Sequence, residues 1–125
     1  MRHQRHYTLE EARSALPWLR ARLAGMRRAR ARLSDEEARR ALADLAPGNG
    51  GGHAGKAVGD AFLELQAAVA ALDEREIVLR DLERGLVDFP ALRDGREVYL
   101  CWVDGEADIG FWHELDAGYR GRQAL

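Results

Sequence analysis

The chain has 125 residues, 32% of them charged, with 19 basic against 21 acidic side chains. That length suits one domain with a modest core, and the near-cancelling charge gives no global pull toward nucleic acid or membrane. A single cysteine, Cys101, excludes an intrachain disulfide and suits a reducing, cytoplasmic compartment.

No stretch approaches 18 consecutive apolar residues, and residues 1–6 lead into a helix start without an apolar leader. Neither secretion nor membrane insertion is expected. The sign of the charge is uneven. Residues 1–45 hold 11 Arg against 6 acidic residues, whereas 57–125 hold 7 Arg against 15 acidic. Complementary halves are expected to pack against each other, or against a second copy.

Thr8-Leu9-Glu10-Glu11 has the form of a capping box and predicts a helix start. Pro17 follows two turns later. Either it kinks this helix, or a short first helix stops near Leu16 and Pro17 opens a new one. Leu16, Leu19, Leu23, Met26 and Leu33 then make a heptad seam interrupted by Arg30, resuming loosely at Ala38, Leu42 and Leu45. Five glycines between Pro47 and Gly55 predict a loop over 47–56. A second helix is expected to carry the seam Val58, Phe62, Leu65, Val69, Leu72 and Leu79, with Gly85 as its stop.

After Gly85 the period changes to two. Asp94-Gly95 and Asp104-Gly105 are hairpin-turn dipeptides ten residues apart, which predicts strands over 86–92, 96–103 and 107–113. Turns centred there pair Val87 with Trp102, Phe89 with Leu100, Leu100 with Ile109, and Val98 with Phe111. One face then reads Val87, Phe89, Ala91, Val98, Leu100, Trp102, Ala107, Ile109 and Phe111, all apolar, and is expected to lie on the helices. Pro90 marks the first of these strands as an edge. The expected fold is α+β in one domain, 1–125. A helical hairpin over 8–84 packs on a three-stranded antiparallel meander over 85–115, and a tail, 116–125, is ordered only by contact.

The other face of the meander carries Asp88, Pro90, Tyr99, Cys101, Val103, Asp108, Gly110 and Trp112. In this register Asp88, Cys101 and Asp108 lie side by side, about 5 Å between neighbours, with Glu106 near the turn. Carboxylates beside a thiol can hold a divalent transition metal, and Tyr99 and Trp112 favour contact with a ligand or partner. His113 is a further candidate ligand or base. By alternation it falls on the core side, opposite Cys101, so the two share a metal only if a bulge intervenes.

Arg20, Arg22, Arg27, Arg28, Arg30 and Arg32 crowd the first helix. They spread around it without interleaved aromatics, so pairing with the acidic half is favoured over nucleic-acid binding. No GxSxG, Walker-type or dinucleotide-binding motif is present, which leans away from an enzyme.

Tyr7-Thr8-Leu9-Glu10-Glu11-Ala12 with Leu16-Pro17, and above all the blocks 85–102 and 109–114, resemble the bacterial DUF2203 family. The resemblance spans nearly the whole chain and implies no established activity. It marks the meander as the family's hallmark, where Asp88, Arg93, Tyr99, Cys101, Trp102, Glu106, Trp112 and His113 have usable chemistry. The leading expectation is an interaction or small-ligand-binding module acting through the meander face, as a homodimer or with a protein partner. The first alternative is a metal-binding protein using Asp88, Cys101, Glu106, Asp108 and His113. The second is nucleic-acid binding through the arginine-rich helix.

Overall fold

The computed structural model describes residues 1–43 and 52–125. Helices α1 (Leu9–Ala43) and α2 (Gly52–Glu74) pair side by side, followed by a five-stranded antiparallel sheet in meander order. Its strands are β1 (Val78–Asp81), β2 (Leu86–Arg93), β3 (Arg96–Val103), β4 (Phe111–Glu114) and β5 (Gln123–Ala124). The class is α+β, with five strands where three were expected. Among the described residues no helix is long and apolar enough to cross a membrane.

The capping box forms as the sequence predicts. The Glu11 amide donates to Thr8 Oγ1 at 3.0 Å, and the Thr8 amide donates to Glu11 Oε1 at 2.9 Å. Helix α1 then runs unbroken through Pro17, so there is no separate helix before it. Leu16 and Leu19, on either side of the proline, are both buried in the core, and this packing offsets the one lost ladder bond. The seam through Leu23 and Met26 is buried as expected. Its looser continuation at Ala38, Leu42 and Leu45 lies outside the described side chains. Pro47–Gly51 lies outside the described residues.

Helix α2 departs from expectation at both ends. It already includes Gly52–Lys56, assigned above to the loop, since glycine weakens a helix by about 1 kcal/mol per residue without forbidding it. Its inward face is Ala61, Leu65, Ala68 and Leu72, while Phe62 and Val69 are exposed. The small alanines let the helices approach closely, which turns the larger pair outward. The stop is Glu76, not Gly85. Glu76 adopts φ 54°, its amide donates to the Asp73 carbonyl, and the Ile77 amide donates to Leu72, a Schellman closure. Leu79 therefore belongs to β1. Leu79 continued the heptad spacing from Leu72 by coincidence.

The β2–β3 register is the predicted one, with Val87 opposite Trp102, Asp88 opposite Cys101 and Phe89 opposite Leu100. Val87, Phe89, Ala91, Val98, Leu100 and Trp102 are buried with the α1 seam. Pro90 lies in an inner strand, but β1 pairs only as far as Asp88. Beyond that point the free side of β2 receives the Tyr7 amide on the Pro90 carbonyl, 2.7 Å away. Pro90 thus sits where no strand needs its missing N–H.

The β3–β4 register is not the predicted one. Leu100 pairs with Trp112, not Ile109, and Val98 pairs with Glu114, not Phe111. Asp104-Gly105 does not turn the chain directly, because residues 104–110 form a wide loop. Within it the Trp102 indole donates to the Glu106 carbonyl at 3.0 Å, and the Val103 amide donates to Glu106 Oε1 at 2.7 Å. A shift of three residues is odd, so every side chain of β4 changes face. Trp112 joins the core beside the helix, and Phe111 and His113 move to the other side.

Among the described residues, part of the uneven charge is met within the chain. Arg13 pairs with Asp108 at 2.9 Å, Arg27 with Asp104 at 2.6 Å and Arg32 with Glu64 at 2.6 Å. Arg20 donates to the Glu106 and Ala107 carbonyls. Helix α1 thus holds the 104–110 loop through its arginines as well as packing along α2.

Candidate metal centre

The face of the sheet away from the helices is roofed by both ends of the chain. Residues 1–6 form an arm over β3, where the Arg2 and His3 amides donate to the two Glu97 oxygens at 2.7 and 3.0 Å. The Gln4 and Arg5 amides donate to Glu76, which explains how a non-glycine residue is held at positive φ. From the other side come a short 3₁₀ turn, Tyr119–Gly121, and β5, which pairs with β4. Arg122 lies 4.0 Å over the Phe111 ring and contacts both Glu106 oxygens at 2.8 and 2.9 Å.

The arm is sensitive to acid through Glu97. Burial alone would raise this carboxyl, but His6, 2.6 Å away, and the His3 and Arg2 amides outweigh it and hold the group at about 2. The ordinary value is 4.5. Its contribution to stability is therefore complete above the ordinary value and lost as pH falls toward the folded one. The urea midpoint is expected to drop through that window. Glu97→Gln should flatten the drop and cost about 2 kcal/mol at neutral pH. Superimposable acid profiles for the two proteins would contradict this anchoring role.

Beneath the roof stand Asp88 on β2, Cys101 on β3 and His113 on β4, exposed by only 2%, 0% and 1%. One ligand atom from each lies within 4.8 Å of the other two. His113 Nε2 is 3.0 Å from Asp88 Oδ1, a contact that spans β3 on the side where Cys101 lies between them. Asp88 Oδ2 accepts from Arg80 Nε at 3.0 Å, so both carboxylate oxygens are engaged. His113 Nδ1 is 2.7 Å from the Glu114 carbonyl, which can only accept. Nδ1 therefore carries a proton, and Nε2 is the nitrogen aimed at the cluster.

Electrostatics follow from that arrangement. Burial would lower the His113 imidazole, but Asp88 and the Glu114 carbonyl outweigh it and raise it. A raised imidazole favours the protonated ring, in which Nδ1 donates to Glu114 and Nε2 to Asp88. The Cys101 thiol is pushed up to about 12, first by burial and then by Asp88. A thiol so held stays protonated at neutral pH, which makes it no free nucleophile. A bound cation can displace that proton, because metal ligation is what stabilises a buried thiolate.

Of the residues expected at a metal site, Asp88, Cys101 and His113 come together. The parity that separated Cys101 from His113 is overturned by the odd register shift. Glu106 and Asp108 are not part of the cluster, being engaged by Arg122 and Arg13. Tyr99 and Trp112 do not form an exposed aromatic pair. Tyr99 is buried under His3, whose Nε2 is 2.6 Å from its hydroxyl, and Trp112 is in the core with Arg93 4.4 Å over its ring. Trp102 is a core residue. Sequence reading missed Arg80, which it placed in a helix, and the arm residues His3, His6 and Glu97. No local spacing links residues 3, 6, 97 and 113.

A cavity of about 400 Å³ opens onto this cluster, lined by Arg2, Arg80, Asp88, His113, Asp116 and Tyr119 among others. Cys101 is not among its lining residues, so it forms the closed side of the cluster. No curated protein and no solved structure matches the chain. The family described as "Uncharacterized conserved protein (DUF2203)" does match, over residues 5–125, nearly the whole length, and the chain belongs to that family.

Proposed function

We propose that this protein is a metal-binding module in which Asp88, Cys101 and His113 hold one divalent transition ion, with zinc the best fit. The observation that carries this reading is the meeting of three different ligand types, from three strands, within 4.8 Å in a buried cluster. Around a tetrahedral zinc ion, ligand atoms stand roughly 3.5 Å apart, so small side-chain rotations close the set. The donors suit the ion as well. Thiolate with imidazole selects zinc-like metals over magnesium or calcium.

The surroundings support the same reading. A ligating histidine usually donates its other ring N–H to a carbonyl or carboxylate, as His113 Nδ1 does to Glu114. Arg80 orients the Asp88 carboxylate in the same way. Three protein ligands with one side toward a cavity leave room for an exchangeable ligand.

The test is elemental analysis of untagged protein purified without chelator, followed by loading with cobalt(II). One equivalent of cobalt with a thiolate-to-metal charge-transfer band is expected. Cys101→Ser should remove the band and weaken binding by more than about 100-fold, since even second-shell losses cost 10–100-fold. Failure to take up an equivalent of cobalt, or the same band in Cys101→Ser, would overturn the proposal.

A further inference from the structure

Resting on that metal reading, we infer that the cavity over the cluster binds a small organic acid whose carboxylate completes the coordination of the ion. The first reason is charge. Arg2 and Arg80 line the cavity with Asp88 and Asp116, so its fixed charges cancel. A divalent ion that has displaced the Cys101 thiol proton and the proton on His113 Nε2, both released to solvent, then leaves one positive charge in excess. An anion entering from the cavity neutralises it.

The second reason is geometry. Asp88 and His113 line the cavity while Cys101 closes the far side, so the ion's free side faces the opening. The guanidinium of Arg80 is already fixed through Nε on Asp88 Oδ2, which leaves its terminal nitrogens for another acceptor. The Arg2 amide is anchored on Glu97, while its guanidinium meets Asp116 at 3.2 Å in a solvent-exposed pair. An exposed pair of this kind is worth little and exchanges partners readily. Two planar guanidinium groups beside a metal match the flat fork of a carboxylate.

The third reason is the rest of the lining. Leu86, Leu115 and Tyr119 give the cavity an apolar and aromatic wall. About 400 Å³ falls in the size range of small-molecule sites, which pair such walls with a few polar anchors. The ligand is therefore an acid with a compact apolar body rather than a bare oxyanion. The Tyr119 ring, 4.8 Å from the Arg84 guanidinium and 4.9 Å from that of Arg122, is braced from two directions as part of this wall.

The experiment titrates acetate, benzoate and inorganic phosphate into cobalt-loaded full-length protein and follows the visible spectrum. Benzoate should perturb the spectrum and bind about tenfold more tightly than acetate, from burial of the ring on the apolar wall. Arg2→Gln should keep the anion-free cobalt spectrum and weaken benzoate by about threefold to tenfold, as expected for one partly exposed charge-assisted contact. Cobalt that binds but ignores all three anions would overturn the carboxylate site alone. Phosphate binding more tightly than benzoate, or an unchanged benzoate affinity in Arg2→Gln, would overturn it too. Absence of cobalt binding would overturn both this inference and the metal reading beneath it.

Discussion

Asp88→Ala is expected to destabilise the metal-free protein by about 3–5 kcal/mol, the usual cost of breaking a buried ion pair from one side. The size follows from what the carboxylate touches. Asp88 Oδ1 faces His113 Nε2 at 3.0 Å, and Oδ2 accepts from Arg80. Removing it deprives both the His113 ring and the Arg80 guanidinium of their shared acceptor at a buried position. Asp88→Asn keeps the shape and one acceptor, so it should cost clearly less. Urea denaturation of the three proteins, in chelator, measures the difference. Zinc adds the functional half of the test. It should raise the midpoint of the wild type by mass action on the folded state and leave Asp88→Ala unmoved. A loss below about 1 kcal/mol in Asp88→Ala would show that the pair is not buried and charged in solution.

Gly85→Ala is expected to cost about 2–5 kcal/mol, adding the left-handed penalty of a side chain to local overpacking. Gly85 has φ 69° in the turn between β1 and β2. A Cβ there would stand 2.4 Å from the Asp104 Cβ and 2.8 Å from Arg27 Nη2. Neither neighbour can yield easily. The Asp104 amide donates to the Gly85 carbonyl at 3.0 Å, and Arg27 holds the Asp104 carboxylate at 2.6 Å while donating to the Leu82 carbonyl. The damage should also reach the metal cluster, because this turn carries Arg80 toward Asp88. Cobalt affinity and thermal midpoint measured on the same variant should fall together. A stable variant with undiminished cobalt binding would show that the turn relaxes freely.

Much of the fold was legible because local chemistry decided it. The Thr8–Glu11 box, the Leu16–Met26 seam and the tight Asp94-Gly95 hairpin each depend on residues within a few positions of one another. They formed as read. The ends of α2 were less legible. The heptad spacing reaches Leu79, and the true stop at Glu76 depends on a left-handed residue that the amides of Gln4 and Arg5, from the far end of the sequence, hold in place.

The candidate site shows the same division more sharply. The sequence by itself determined that Asp88 and Cys101 share a face, because the short turn at Asp94-Gly95 fixes their register. Only the tertiary structure decided that His113 joins them. The second turn is a wide loop held by local bonds from Trp102 and Val103 to Glu106 together with Arg13, Arg20, Arg27 and Arg122, which reach residues 104–108 from elsewhere in the chain. A side-chain period of two makes an odd shift reverse every face, so contacts outside the strand, invisible to the alternation pattern, go with the register that completes the cluster.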